Sequence, residues 1–429
     1  MRDRRGSESM MLALSAALFA VYATAGDFEV PPAEPAAASL PAELVSGRHF
    51  TVREPVRADG LMHHYELQSR FGDYAAYGQD ALKLRAHEIE ALAEMSKNND
   101  VNIVVKAAVR QVQSQADTVR QLATHPVKTV TGIPRGVAHL FGGYKAQAGE
   151  VVDGLKTSGH DSSGNTASHV AHSARSNTAK YADRYLGVSA AERRFYQKLG
   201  VDPYTDNEVL RKAVKRAAKV DAATTLGMHF VALPGLPYLG DVQRAMDDIY
   251  KEDPAVLRAR RKKELLGYGL TPQELTRFDN TLLLSPTRQG VLEEVAKSLK
   301  GVAGRDELFR HAMEVDSIEE VQVFVQSARL LAFLHARRPV ARILAGLRLP
   351  AAAFSDGKIV VFGAFDGVSW TEEVAGYEAA LHAALPASGA PLELWLTGTI
   401  SPLAREQLTR MGWVVHDHAR ENLMADSAT

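Results

Sequence analysis

Lys358–Phe365 (KIVVFGAF), Pro391–Leu396 (PLELWL) and Trp413–His416 (WVVH) are three short strand-like runs, with helix-like stretches at Trp370–Leu385 and Ser401–Met411 between them. Connections of helix length do not make hairpins. Each must cross over and bring the next strand back parallel, in the right-handed sense. The spacing therefore predicts a small βαβαβ unit over 348–429.

In parallel sheets, ligands gather at the carboxyl ends of the strands. Here those ends carry Asp366, then Thr397, Thr399 and Ser401, then His416, Asp417 and His418. An Asp after one strand and a Thr after the next invite comparison with phosphoryl-transfer sites. However, no second Asp stands at the expected spacing and no partner Lys is evident. The chain also contains no G-x-x-x-x-G-K-[ST] or G-x-G-x-x-G phosphate loop and no G-x-S-x-G elbow. Polar residues at strand ends are also simply what loops contain. Asp366, Thr397, Thr399, Ser401, His416 and His418 are thus the candidate set for one function, a hydrolase-type enzyme or a small-ligand-binding protein.

Towards the N-terminus, residues 189–347 read as a helical domain. Ser189 with Glu192 forms a capping-box pattern ahead of a helix to Leu199, and Gly200 ends it. Asn207–Val220 is a basic helix carrying Arg211, Lys212, Lys215, Arg216 and Lys219. The uncharged segment Ala222–Gly240 follows, broken by Pro234, Gly235 and Pro237, so it is no spanning helix. Helices are expected at Val242–Tyr250, Pro254–Leu266, Pro272–Thr281, Thr287–Leu299, Asp306–Val315 and Ile318–Arg337, joined by short Gly, Pro and Ser connectors. Arg260-Arg261-Lys262-Lys263 could contact phosphates or merely solubilise a helix face.

Thr157–Asn177 holds almost no large apolar side chain, and residues 157–188 read as a flexible loop. Before them, Pro134–Lys156 (PRGVAHLFGGYKAQAGEVVDGLK) has Val137, Leu140, Phe141, Tyr144, Ala148, Val151, Val152 and Leu155 on one stripe of a helix. Its five glycines each cost roughly 0.8–1 kcal/mol relative to Ala, so something outside the helix must hold that stripe. A protein core and a lipid surface are both open. On the second reading Val137, Leu140, Phe141, Tyr144, Val151 and Lys145, with Arg211, Lys212 and Lys215, form a membrane or partner surface.

Residues 48–156 combine this stripe with a β-meander and two long helices. Arg48–Val52, Leu61–Phe71 and Tyr74–Tyr77 alternate as strands, divided by turns at Asp59-Gly60 and Gly72-Asp73. Helices are expected at Asp80–Lys97 and at Val101–Thr124, the second interrupted by His125-Pro126. Residues 26–47 read as an extended Pro- and Ala-rich linker.

Residues 1–25 read as a signal peptide: a basic MRDRR start, an apolar run over Met10–Ala25, and small residues at Ala23 and Ala25 for cleavage before Gly26. A run of sixteen residues falls short of the ~20 that span a bilayer. Cleavage and retention as an anchor both remain open. The 429-residue chain has 46% hydrophobic and 24% charged residues and a net charge of −1, so no global field attracts nucleic acid. The absence of cysteine excludes disulfides, a thiol nucleophile and Cys-ligated metal. His416 with His418 and Asp366, the loop residues His160, His169 and His172, and the adjacent His63 and His64 could bind metal. With 15 histidines, chance clusters are expected, and neither a metal nor a cofactor is predicted.

Gly47–Ile89, His125–Gly143, Leu199–Leu210 (LGVDPYTDNEVL) and Asn280–Gly290 (NTLLLSPTRQG) resemble phrases of a family of exported bacterial proteins with no assigned activity. The resemblance implies a periplasmic or secreted location and supplies no catalytic residues. The fold expected is α+β and mostly helical: an N-terminal meander with long helices, a helical middle and a small C-terminal βαβαβ unit. The leading function is a non-catalytic envelope or periplasmic protein that meets a membrane surface or protein partner through amphipathic helices.

Overall fold

A computed structural model describes residues 28–122, 133–142, 185, 187–219, 240–387 and 389–419. The fold is α+β and mostly helical, as the patterning requires.

The N-terminal sheet has five strands: β1 (Ala33–Glu34), β2 (Phe50–Val52), β3 (Val56–Ala58), β4 (His63–Ser69) and β5 (Gly72–Tyr77). β4 is its spine. β5 pairs along one edge, while β2 and β3 share the other, opposite Leu67–Ser69 and His63–His64 respectively. Alternation along β4 turns Tyr65 and Leu67 inward and Glu66 and Gln68 outward. The linker expected at 26–47 is ordered from residue 28. It contributes β1 and two single-turn helices, α1 (Ala36–Ser39) and α2 (Ala42–Val45), because Ala36, Leu40 and Leu44 find places in the core.

α3 (Gln79–Met95) buries Leu82, Ile89 and Leu92, and α4 (Asn99–Leu122) follows it. Of the amphipathic stripe at 134–156, the described part holds α5 (Arg135–His139) and a turn to Gly142, and residues 143–156 lie outside the described residues. Val137, Leu140 and Phe141 are core residues, not surface ones. Phe141 stacks between Phe365 and Tyr377, with centroids 5.7 and 5.1 Å away, and the Leu140 carbonyl accepts Leu349 N–H at 3.1 Å. Tyr144, Lys145 and Val151 lie outside the described residues, as do the signal segment, the loop over 157–184 and Ala222–Pro237.

α6 (Ala190–Leu199) has the expected capping box, and Gly200 closes it in the left-handed conformation. α7 (Glu208–Lys219) packs on α4. The helical middle follows as α8 (Gly240–Lys251), α9 (Pro254–Gly267), α10 (Pro272–Asn280), α11 (Pro286–Ser298), α12 (Asp306–Ala312) and α13 (Ile318–His335). The basic run on α9 is partly structural: Arg261 is buried, pairs with Glu293 at 2.9 Å and donates to Gln289, while Arg260 pairs with Asp248 and Glu252.

The C-terminal sheet is larger than the predicted βαβαβ unit. β8 (Ile359–Gly363), β10 (Leu392–Leu396) and β12 (Trp413–His416) are parallel, linked through α14 (Glu372–Ala384) and α15 (Pro402–Arg410). An antiparallel hairpin, β6 (Val340–Ile343) and β7 (Ala351–Phe354), extends the sheet to the order β12-β10-β8-β7-β6. Sequence patterning misses that hairpin because its strands are four residues long and one is mostly alanine. A short parallel pair, β9 (Gly367–Val368) with β11 (Thr399–Ile400), closes the strand ends. α13 lies on β8, and one continuous core runs from Ala36 to Ala419.

Inside this core, His311 at the end of α12 is completely buried. Burial first, then Arg310 and Arg348, push its pKa down to about 3, so it folds neutral. A lowered histidine contributes stability above its unfolded value near 6.5, and that stability is lost as pH falls towards 3. His311→Leu is therefore expected to lose less stability than the wild type between pH 7 and pH 4, by on the order of 3 kcal/mol, in urea unfolding at the two pH values.

Candidate functional site

The β3–β4 turn is built by Asp59, whose Oδ1 accepts the N–H groups of Leu61 and Met62 at 2.9 and 2.8 Å. This turn docks on the end of β8. The Leu61 carbonyl accepts Asp366 N–H at 3.0 Å and Gly367 N–H at 3.1 Å, and the Gly60 carbonyl accepts Ser369 N–H at 2.9 Å. The strand-end crevice of the parallel sheet is thus covered by the N-terminal sheet.

Asp366 has a specific task in that contact. The N-cap of α3 is Gly78, with φ of 86°, where a Cβ would strike the Met62 methyl. A glycine supplies no capping oxygen. Asp366 Oδ2 supplies it from across the molecule, accepting Gln79 N–H at 2.9 Å at the positive end of the helix dipole, with His63 Nδ1 3.6 Å away.

The other predicted strand-end residues do not join it in one pocket. Thr397 is buried and donates to the Phe365 carbonyl at 2.8 Å. Thr399 is exposed and reaches the Asp366 carbonyl at 3.4 Å. Ser401 caps α15 through Ala404 N–H and bonds Glu29. His416 stacks on Trp395 at 4.4 Å beside Glu393, and burial lowers its pKa. His418 has a left-handed backbone (φ 53°), donates its N–H to the Gly398 carbonyl and stands 3.3 Å from Asp417. Gly398 itself passes so close to Asp366 that a Cβ would lie 2.0 Å from its carbonyl oxygen, which leaves room only for glycine. Of the six candidates, Asp366 alone lines the large cavity between the N-terminal sheet and the helices.

That cavity measures about 950 Å³. Its walls are β3 to β5, the first turns of α3, the turn over 201–206, α8, the start of α11 and one face of α13. Exposed Arg53, Arg57 and Glu66 stand at its rim. At one end Asp59 Oδ2 accepts both Tyr77 O–H (2.9 Å) and His64 Nε2 (3.0 Å), which orients the imidazole and leaves Nδ1 available. Burial, then the Asp59 carboxylate, hold the Tyr77 hydroxyl well above its usual pKa, so it remains a donor.

At the other end, Glu88 of α3 is buried. It accepts from Thr205 O–H, from Asn207 Nδ2 at 3.1 Å and from Arg85 at 2.8 Å. Arg85 also reaches Asp206 at 2.7 Å. Burial opposes the charge on Asp206, but Arg85 outweighs it and holds the carboxyl below its ordinary range. Beside them, Asp202 Oδ1 accepts Thr287 O–H at 2.6 Å and Tyr204 N–H at 2.9 Å, and burial raises its pKa.

Asp202, Tyr204, Thr205 and Thr287 carry no catalytic motif, so spacing did not single them out. They lie within Leu199–Leu210 and Asn280–Gly290. Elsewhere, His139, Asp316 and Glu320 have metal-like spacing, with ligand atoms within 4.8 Å of one another. Glu320, however, is already matched by Arg348 at 3.1 Å and by Asp316 N–H at 2.8 Å, and burial pushes its pKa up to about 8. Among the described residues, His416, His418 and Asp366 form no such group.

No described protein family, curated protein or solved structure matches this chain.

Asp366→Ala is expected to cost about 1–2 kcal/mol in urea unfolding, as loss of an N-cap does. Thr399→Ala, with its long and exposed bond, is expected to cost under about 0.5 kcal/mol.

Proposed function

We propose that this protein binds a small organic molecule in the cavity between the N-terminal sheet and helices α3, α11 and α13. The observation that carries the reading is the cavity itself: about 950 Å³, with apolar walls from Val201, Val242, Met246, Val291 and Val323 and oriented polar groups at both ends. That size and mixture are what ligand sites use, apolar area for affinity and a few fixed hydrogen-bonding groups for orientation. The export signal read over residues 1–25 supports an extracytoplasmic place for this binding.

Gln322 lines the cavity from α13 and is partly exposed, so Gln322→Trp is expected to fill space without emptying the core. In a fragment screen by ligand-observed NMR, the wild type is expected to give hits that the folded Gln322→Trp variant loses. A blank wild-type screen, or hits that survive the substitution, would remove the reading.

A second reading, attachment to an anionic membrane or partner surface, keeps one supporting observation. Arg211, Lys215 and Lys219 form an exposed row on α7, whereas Lys212 is drawn to Gln111 of α4 at 2.9 Å. Val137, Leu140 and Phe141 lend it no support, being buried. On this reading the protein floats with anionic liposomes at low salt, and the double substitution Arg211→Glu/Lys215→Glu abolishes flotation. Wild-type protein that stays at the bottom of the gradient would end it.

A further inference from the structure

β3, β4 and β5 meet in register at one row of residues, Arg57, His64 and Tyr77, and all three line the cavity. Directly opposed residues of antiparallel strands share a face, and the His64 and Tyr77 rings do meet, 5.0 Å apart. The buried Asp59 carboxylate fixes the imidazole, accepting from His64 Nε2 on the same oxygen that accepts Tyr77 O–H. Nε2 therefore carries the hydrogen of that bond, and Nδ1 is the nitrogen left for a ligand. The His64 side chain is 30% exposed, and its Nδ1 has no partner among the described residues.

The other arginines of the lining are engaged. Arg53 pairs with Glu66, and Arg85 with Glu88 and Asp206. Arg288 donates to the Leu283 carbonyl and its charge acts on Asp202, while Arg329 donates to Gln326. The exposed guanidinium of Arg57 makes no hydrogen bond or ion pair among the described residues. An exposed arginine alone is ordinary. Beside an oriented imidazole it becomes half of an oxyanion site, since its fork matches a carboxylate and a protonated Nδ1 adds a second charge-assisted bond. The neighbours limit the charge such a site tolerates. Asp366 and Glu319 act on the Tyr77 hydroxyl beside Asp59, and Glu54 and Glu66 line the same cavity. A single negative charge suits that setting better than a doubly charged phosphate. Resting on the reading of the cavity as a ligand site, we infer that its ligand is an organic carboxylate, held between Arg57 and His64 Nδ1 with its apolar body in the cavity. A carboxylate on Nδ1 favours the imidazolium, so binding is tight below the range in which histidines titrate and weakens as pH rises through it.

The test uses the full chain and isothermal titration with hexanoate, hexanol and hexylamine at pH 6 and pH 8, between which hexanoate and hexylamine keep their charges. At pH 6 the wild type is expected to bind hexanoate at least about tenfold more tightly than hexanol, and at pH 8 to have lost at least about fivefold of that affinity. His64→Gln is expected to bind hexanoate equally at the two pH values. Arg57→Gln is expected to lose the preference over hexanol at both. If His64→Gln does not fold, Arg57→Gln and the pH dependence of the wild type decide. Equal binding of hexanoate and hexanol, or tighter binding of hexylamine, overturns the carboxylate assignment and leaves the cavity a ligand site. Binding of none of the three also overturns it, and the fragment screen then decides separately whether the cavity is a site at all.

Discussion

The contact between the β3–β4 turn and the end of β8 joins residues some 300 positions apart in the chain. Two backbone N–H groups at the end of a parallel strand have no further strand to pair with, and buried without partners they would cost more than most contacts return. The Leu61 carbonyl accepts both, and the Asp366 side chain beside them satisfies the first free N–H of α3. The exchange is reciprocal. The C-terminal sheet gains a cover for its strand ends, and the N-terminal unit gains a cap that its own sequence, with Gly78 at that position, does not provide.

From that junction the position of the cavity follows. α3 leaves the cap with Leu82, Ile89 and Leu92 facing the core, while Arg85 and Glu88 border the cavity. α13 sits on β8 and presents Glu319, Gln322 and Gln326 to the cavity from the other side. The turn over 201–206 closes it, fixed by Asp202 to α11 through Thr287 and by Thr205 and Asn207 to α3 through Glu88. Three segments distant in sequence are therefore registered by side-chain to side-chain hydrogen bonds, which demand better geometry than apolar packing does.

This explains what could be read in advance. Periodicity and caps are local, so the helices of the middle and the order of strand and helix near the C-terminus were legible, as were the Ser189 capping box and its stop at Gly200. The β6–β7 hairpin was not, because Ala351–Phe354 carries little strand preference and owes its pairing to β8. The burial of Val137 and Phe141 was equally hidden, since an amphipathic stripe looks the same whether lipid or Phe365 and Tyr377 cover it. Asp366 stands past the end of β8, but its neighbours come from His63 and Gln79. No pattern within the C-terminal unit names those residues. Thr287 stood in view as a helix start, and its meeting with Asp202 across 85 positions is a property of the fold alone.

The size of the cavity decides how its polar groups must be understood. An empty, dry void costs about 24 cal/mol per Å³, so about 950 Å³ left vacant would cost on the order of 20 kcal/mol, more than a protein's whole stability. The space is therefore filled by solvent or by a ligand. Water suits Arg85, Glu88 and Asp206, which already satisfy one another. It is a poorer companion for the apolar part of the wall, where each square ångström left wet forgoes roughly 25 cal/mol. A molecule with an apolar body recovers that term. The polar groups of the lining thus hold the 201–206 turn to α3 and α11, and the apolar part of the wall is what an occupant other than water would cover.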